Sequence, residues 1–164
     1  MASDATQPLL IPRLLWARLV FSLRRRGDGT RESGAFLFAP ENSSLRRITA
    51  FSCYDNFDPC AYQSGAITFH AEGYASLWEH CRRKELQILA DVHSHPGSWV
   101  GQSGIDQENP MIPTHGHTAL IVPNFGRTPW WSLERVGVYE YLGDFKWRDC
   151  RIASASPRVA LSIW

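Results

Sequence analysis

A mostly apolar run at residues 86–92 leads directly into His93-Ser94-His95-Pro96-Gly97, and this junction constrains the fold more than any other part of the chain. A short apolar run bounded by turn residues reads as a buried strand, and proline and glycine must end it. Side chains alternate along a strand, so two histidines one residue apart project to the same side and can reach one ion. Beyond them Pro96 and Gly97 turn the chain, Gly101 and Gly104 keep it pliable, and Ser103 and Asp106 share a face if a helix begins there. Ser103 also suits the N-cap of such a helix. Two imidazoles and a carboxylate are donor types that zinc accepts in a tetrahedron, with a fourth position left to water in catalytic sites. His93, His95 and Asp106 are therefore the candidate ligands of one Zn2+ per chain.

The remaining pattern is mixed. Pro12 suits a first helical turn, and Leu15, Leu19 and Leu23 recur every four residues up to Gly27, with Leu14, Ala17 and Phe21 expected to widen the apolar face. Residues 34–38 read as a buried strand and 47–54 as a second one, expected to be its hairpin partner. Residues 56–65 read as a loop near a binding site and 66–69 as a brief strand. A helix is expected over 71–84, with Leu77, Trp78 and Cys81 on its apolar side and Arg82, Arg83 and Lys84 in its last turn. Further strands are expected at 118–122, 136–142 and 159–164. This is an α+β pattern with mostly antiparallel strands, and a length of 164 residues favours a single domain over 1–164.

Seventeen Lys and Arg stand against sixteen Asp and Glu, so no broad field is available to attract phosphate backbones and nucleic acid is not the expected partner. Arg24, Arg25 and Arg26 are read as solvated charges at a helix C-terminus. Cys53, Cys60, Cys81 and Cys150 form no Cys-x-x-Cys pair, which points to free thiols in a reducing compartment. Arg13 and Arg18 break the apolar stretch 9–23, so no membrane span is expected and the protein reads as cytoplasmic.

The run from His93 to Asp106 resembles the JAMM motif of the JAB1/MPN/Mov34 (MPN-plus) metalloproteases: His-x-His, seven residues, Ser-x-x-Asp, with proline usually after the second His. His93, His95, Ser103 and Asp106 match every fixed position. The family adds a glutamate at the start of an upstream Gly- and Leu-containing strand, and Glu32 before Ser33-Gly34-Ala35-Phe36-Leu37-Phe38-Ala39 is similar to that element. The residues alone leave Glu41, Glu72, Glu79, Glu85 and Glu108 open beside Glu32. Residues 118–126 resemble the strand and turn that follow the motif in prokaryotic members, so the resemblance covers roughly residues 12 to 142.

The resemblance implies the MPN, cytidine-deaminase-like fold, a curved and mostly antiparallel sheet with flanking helices. It implies a zinc metalloprotease with Glu32 as general base and Ser103 as oxyanion donor. The implied substrate is ubiquitin or a ubiquitin-like protein joined through its C-terminal glycine, as for stand-alone prokaryotic deubiquitinase-like members in conjugation systems linked to antiviral defence. Proteins of such a conjugation operon are the implied partners. Trp99, Trp130 and Trp131 are candidate walls of the substrate channel, with core packing as the alternative. Two other readings stay open: a zinc peptidase or amidase acting on a sulfur-carrier protein or small amide, and a non-catalytic MPN scaffold. His115 and His117 form a second His-x-His, but no Ser-x-x-Asp follows, so they are read as cleft or ordinary loop histidines.

Overall fold

The computed structural model describes residues 7–151 and 157–163. The chain opens with β1 (Leu9–Pro12) and α1 (Arg13–Gly27), followed by the hairpin of β2 (Gly34–Pro40) and β3 (Ala50–Cys53). After a loop come α2 (Ala71–Lys84), β4 (Leu86–Ser94) and the short α3 (Gly104–Glu108). The remaining strands are β5 (Thr118–Val122), β6 (Gly137–Gly143), β7 (Lys146–Asp149) and β8 (Val159–Ser162). One sheet has the order β3-β2-β4-β5-β6-β7, and β1 with β8 makes a small parallel pair beside it.

The fold is α+β and its main sheet mostly antiparallel, as the pattern implied. Only β4 and β5 run parallel within it. Parallel neighbours need a crossover connection, and here the stretch carrying the candidate ligands supplies it. From Ala90 to Ser94, β4 is buried at every position because both faces of the sheet are covered, which is why it reads as apolar without alternation. Beneath one face Trp16, Leu19 and Leu23 of α1 pack on Ala90, Val92, Leu120 and Val138. Against the other face Phe36, Phe38, Tyr54, Tyr62 and Leu77 form a second core.

Several expectations are corrected. The apolar face of α1 is narrower than expected, because Leu14 and Phe21 are 73% and 66% exposed. On α2, Trp78 also faces solvent, while Leu77 and Cys81 are buried. Residues 66–69 form no strand: Thr68 makes one backbone bond to Ala61, and Ile67 and Phe69 pack as side chains on the second core. The second strand is shorter than 47–54, and the last covers Val159–Ser162, with Trp164 outside the described residues. Arg26 is not merely solvated, since its Nε donates to Asp55 at 2.7 Å. No helix among the described residues is long and apolar enough to cross a membrane.

Candidate metal centre

His93 lies in β4 and His95 one residue beyond its end, and the alternation of side chains brings both imidazoles to one side of the strand. Their Nε2 atoms stand 3.1 Å apart. Asp106, on α3, faces both with different oxygens: Oδ1 lies 3.3 Å from His93 Nε2 and Oδ2 3.3 Å from His95 Nε2. One ligand atom from each of the three residues lies within 4.8 Å of the other two, close enough for all three to reach a single small divalent ion. The nitrogens are also of the right kind. His95 Nδ1 donates to the Trp99 carbonyl at 3.1 Å, which leaves the lone pair on Nε2. This group of three is one that can hold a metal.

Asp106 and His95 are held from outside. Ser103 is the N-cap of α3 and forms a capping box with Asp106: the Asp106 amide donates to Ser103 Oγ at 3.1 Å, and the Ser103 amide donates to Asp106 Oδ2 at 2.7 Å. The Ser103 hydroxyl donates to the same Oδ2 at 2.7 Å. The far end of α3 is tied down by Trp147, whose Nε1 donates to the Gln107 carbonyl. Tyr139 holds the preceding loop through the Val100 carbonyl at 2.8 Å. Trp99 stacks on His95 with ring centroids 5.5 Å apart and stays 61% exposed; like Trp130 and Trp131 it is not among the residues lining the cleft that holds Glu32, His93 and Asp106.

The backbone at His95 is suspended from the end of β5. The His95 amide donates to the Val122 carbonyl, the Phe125 amide to the His95 carbonyl and the Asn124 amide to the Gly97 carbonyl, all at 2.8–2.9 Å. To make these bonds Asn124, Phe125 and Gly126 all take positive φ, at 53°, 53° and 82°. A Cβ on Gly126 would stand 2.9 Å from the Arg24 amide nitrogen of α1. Gly126→Ala is therefore expected to cost roughly 1–3 kcal/mol of stability, measured by chemical denaturation against the parent.

Glu32 sits two residues before β2, beside the ligands because Gly34 is in register with His93. Its neighbours are fixed by a buried network: Ser33 donates its Oγ to Leu23 and its amide to Ser94 Oγ, and the Ser94 amide returns to the Ser33 carbonyl. Tyr62 clamps Gly34 by donating to its carbonyl and accepting from its amide. The Tyr54 ring occupies the space a Gly34 side chain would need. Burial raises the Glu32 pKa above the usual carboxylate range, and Asp106 adds to this while His93 and His95 oppose it. For Asp106 burial favours the neutral form, but hydrogen bonds with His93, His95 and Ser103 prevail and hold its pKa well below the ordinary value. Burial would lower His93, yet Asp106, Asp91 and Glu32 together raise it.

Glu32, His93, Ser103 and Asp106 line one cleft of about 810 Å3. Phe69, Tyr74, Met111 and Trp147 contribute to its apolar surface, and no Lys or Arg does. Trp130 and Trp131 do not line it; they are partly exposed on the loop before β6, edge to face with one another. Asp91, two residues before His93, was not singled out in the sequence. It is buried in the cleft floor, where it meets His117 Nε2 at 2.6 Å and accepts from the Tyr54 hydroxyl at 3.1 Å. His117 is thus a buried partner, whereas His115 is exposed. Removing His117 leaves the Asp91 carboxylate with one hydrogen bond, so His117→Ala is expected to cost roughly 2–4 kcal/mol, read from a thermal or denaturant midpoint.

No family model matches the chain. A stretch of 80 residues is 29% identical to Probable metalloprotease y4jG of Sinorhizobium fredii, and it spans about half of each protein, 49% of this chain and 48% of the relative. Among solved structures, a protein from Desulfitobacterium hafniense superposes with a TM-score of 0.63 at 15% identity, over 93% of this chain and 92% of that one, and so shares the fold. A JAB1/MPN domain protein from Archaeoglobus fulgidus matches with a TM-score of 0.48 at 14% identity, over 85% of this chain and 93% of that one.

Proposed function

We infer that this chain, consistent with a JAMM/MPN family member in its motif and its likeness to a probable metalloprotease, is a zinc-dependent isopeptidase that hydrolyses the bond after the C-terminal glycine of a ubiquitin-like protein. The observation that carries the reading is two imidazoles 3.1 Å apart with the Asp106 carboxylate 3.3 Å from each, and a half-buried Glu32 lining one cleft with His93 and Asp106. Zinc held by His93, His95 and Asp106 would supply Lewis acidity and a means of ionising water near neutral pH. Glu32 takes the proton of the attacking water and passes it to the leaving amine, a role its burial favours by bringing its basicity nearer to neutrality. Ser103 holds Asp106 in place and, by turning its hydroxyl into the cleft, donates to the oxygen of the attacked carbonyl. An extended peptide tail fits a cleft with apolar walls, and Trp99 covers the face of His95 and limits the entry of water.

We extend the reading to a single cytoplasmic domain that acts in a bacterial ubiquitin-like conjugation system linked to antiviral defence, alongside the proteins of its operon. The deciding experiment measures zinc content and then, on the same sample, cleavage of a ubiquitin-like fusion and of short peptides with and without chelator. Chelator-sensitive cleavage of the fusion supports the isopeptidase. Cleavage of peptides or small amides alone moves the assignment to a sulfur-carrier peptidase or amidase, and a zinc-loaded protein that cuts neither is a scaffold.

A further inference from the structure

A second cavity, of about 550 Å3, opens where β4 begins, at the opposite end of that strand from the metal ligands. Its chemistry is the reverse of the cleft's. Arg46, Arg82 and His115 line it together with Trp78, and its acidic residue is Glu41, which is exposed. Arg82 is exposed and bonded to Glu79. Arg46 has no such relief. Its Nε and Nη2 are buried, and among the described residues neither has a hydrogen-bond partner.

The charged groups around Arg46 are Arg158 and Glu140. Glu140 is already engaged by Arg158 at 3.0 Å and Arg148 at 3.2 Å. Arg158 Nε and Thr118 Oγ1, the latter on a residue in register with Glu140, are likewise buried without a partner. Arg158 thus has both Glu140 and the Gly116 carbonyl as acceptors, whereas the half-buried Arg46 feels Glu140 without bonding to it. Burial pushes the Arg46 pKa down, and the Arg158 charge pushes it further. A buried charge is stable when paired, and the planar guanidinium is the side chain best matched to the oxygens of phosphate and carboxylate groups. Because its charge is spread over three nitrogens, a counter-ion on the cavity side neutralises the whole group.

We propose that this cavity binds a small molecule bearing an oxyanion, a phosphate or carboxylate group, which pairs with Arg46 while His115 and Arg82 guard the entrance. The site is separate from the metal cleft. His117 lines the cavity and Asp91 the cleft, and their 2.6 Å bond is part of the partition between the two.

The test uses the full chain, with inorganic phosphate as one probe and malonate as the other, at ionic strength held constant with chloride. Calorimetric titration and thermal unfolding are run on the parent and on Asp106→Ala, which separates this site from any anion at the metal. Saturable binding of one probe is expected in both proteins, with a rise in Tm of about 5 °C or more at a hundred times Kd. The preferred probe identifies the group as phosphate or carboxylate. Arg46→Met is expected to abolish both binding and the Tm rise. Should that variant fail to fold, His115→Gln with Arg82→Gln, both on exposed residues, is expected to weaken binding several-fold at unchanged Tm. Absence of saturable binding to either probe in the parent overturns the proposal, as does affinity that survives unchanged in the variants.

Discussion

Glu32→Gln is expected to retain about one zinc per chain while hydrolysis falls by roughly a hundred- to ten-thousand-fold, the contribution typical of a positioned general base. The expectation follows from where Glu32 stands. His93, His95 and Asp106 alone form the group that can hold the metal, while the Glu32 carboxylate lines the cleft with His93 and Asp106 and feels the charges of all three. Glutamine keeps the shape and the Ser33–Ser94 network but cannot accept a proton. Burial raises the Glu32 pKa in the metal-free protein and a bound divalent cation opposes that shift, so the acid limb of kcat/KM in the parent should mark protonation of Glu32 beside the metal, with activity lost as pH falls through it. That limb should vanish in the variant. Zinc analysis and a pH-rate profile decide it, and loss of the metal from Glu32→Gln would make Glu32 a ligand and not a base.

Asp106→Ala should empty the site and take all metal-dependent turnover with it. The variant removes one edge-forming donor from each histidine and half of the capping box, so a loss of stability of about 1 kcal/mol accompanies it. Asp106→Asn separates the two effects, since the amide oxygen can still cap α3 but carries no charge for the metal. His93→Ala with His95→Ala should be equally metal-free without touching the cap. Unchanged zinc in these variants would remove the assigned ligand set.

The same pair governs pH dependence. In the metal-free protein the raised His93 pKa contributes stability that is present below the ordinary histidine range and lost as pH rises through the raised value. The depressed Asp106 pKa contributes stability that is present above the ordinary carboxylate range and lost on acidification. Metal-free protein should thus be most stable under mildly acid conditions. Because protons compete with the ion for His93, zinc binding should move the optimum toward neutrality.

What the sequence revealed and what it concealed divide along the range of the interactions. The strand before His93, both long helices and the Ser103 cap depend on neighbours within a few positions, where period and spacing are visible. The parallel pairing of β4 with β5 was hidden because nothing local distinguishes it from an antiparallel neighbour. The bonds from Trp147 to Gln107, Tyr139 to Val100 and His117 to Asp91 join residues far apart in the chain and leave no periodic trace. Asp91 looked like a polar interruption in an apolar strand, and only the fold supplies its partners. β1 was absorbed into the apolar stretch that feeds α1, and the four residues of β7 are too few to show alternation. Trp130 and Trp131 invite a cleft role by their aromatic character, but they stand on the loop before β6 and neither lines the cleft.

The bonds that hang the peptide on both sides of Pro96 from residues 122–125 bear on any attempt to transplant this chemistry. Moving residues 93–106 alone into another scaffold would carry the donor atoms without the frame that spaces them. A transplant that also brings 118–126, with its three left-handed residues seated on a helix backbone, would carry the alignment as well. The minimal portable unit for the metal ligands is thus two discontinuous segments, the second containing none of the donors, and Glu32 must come with a third.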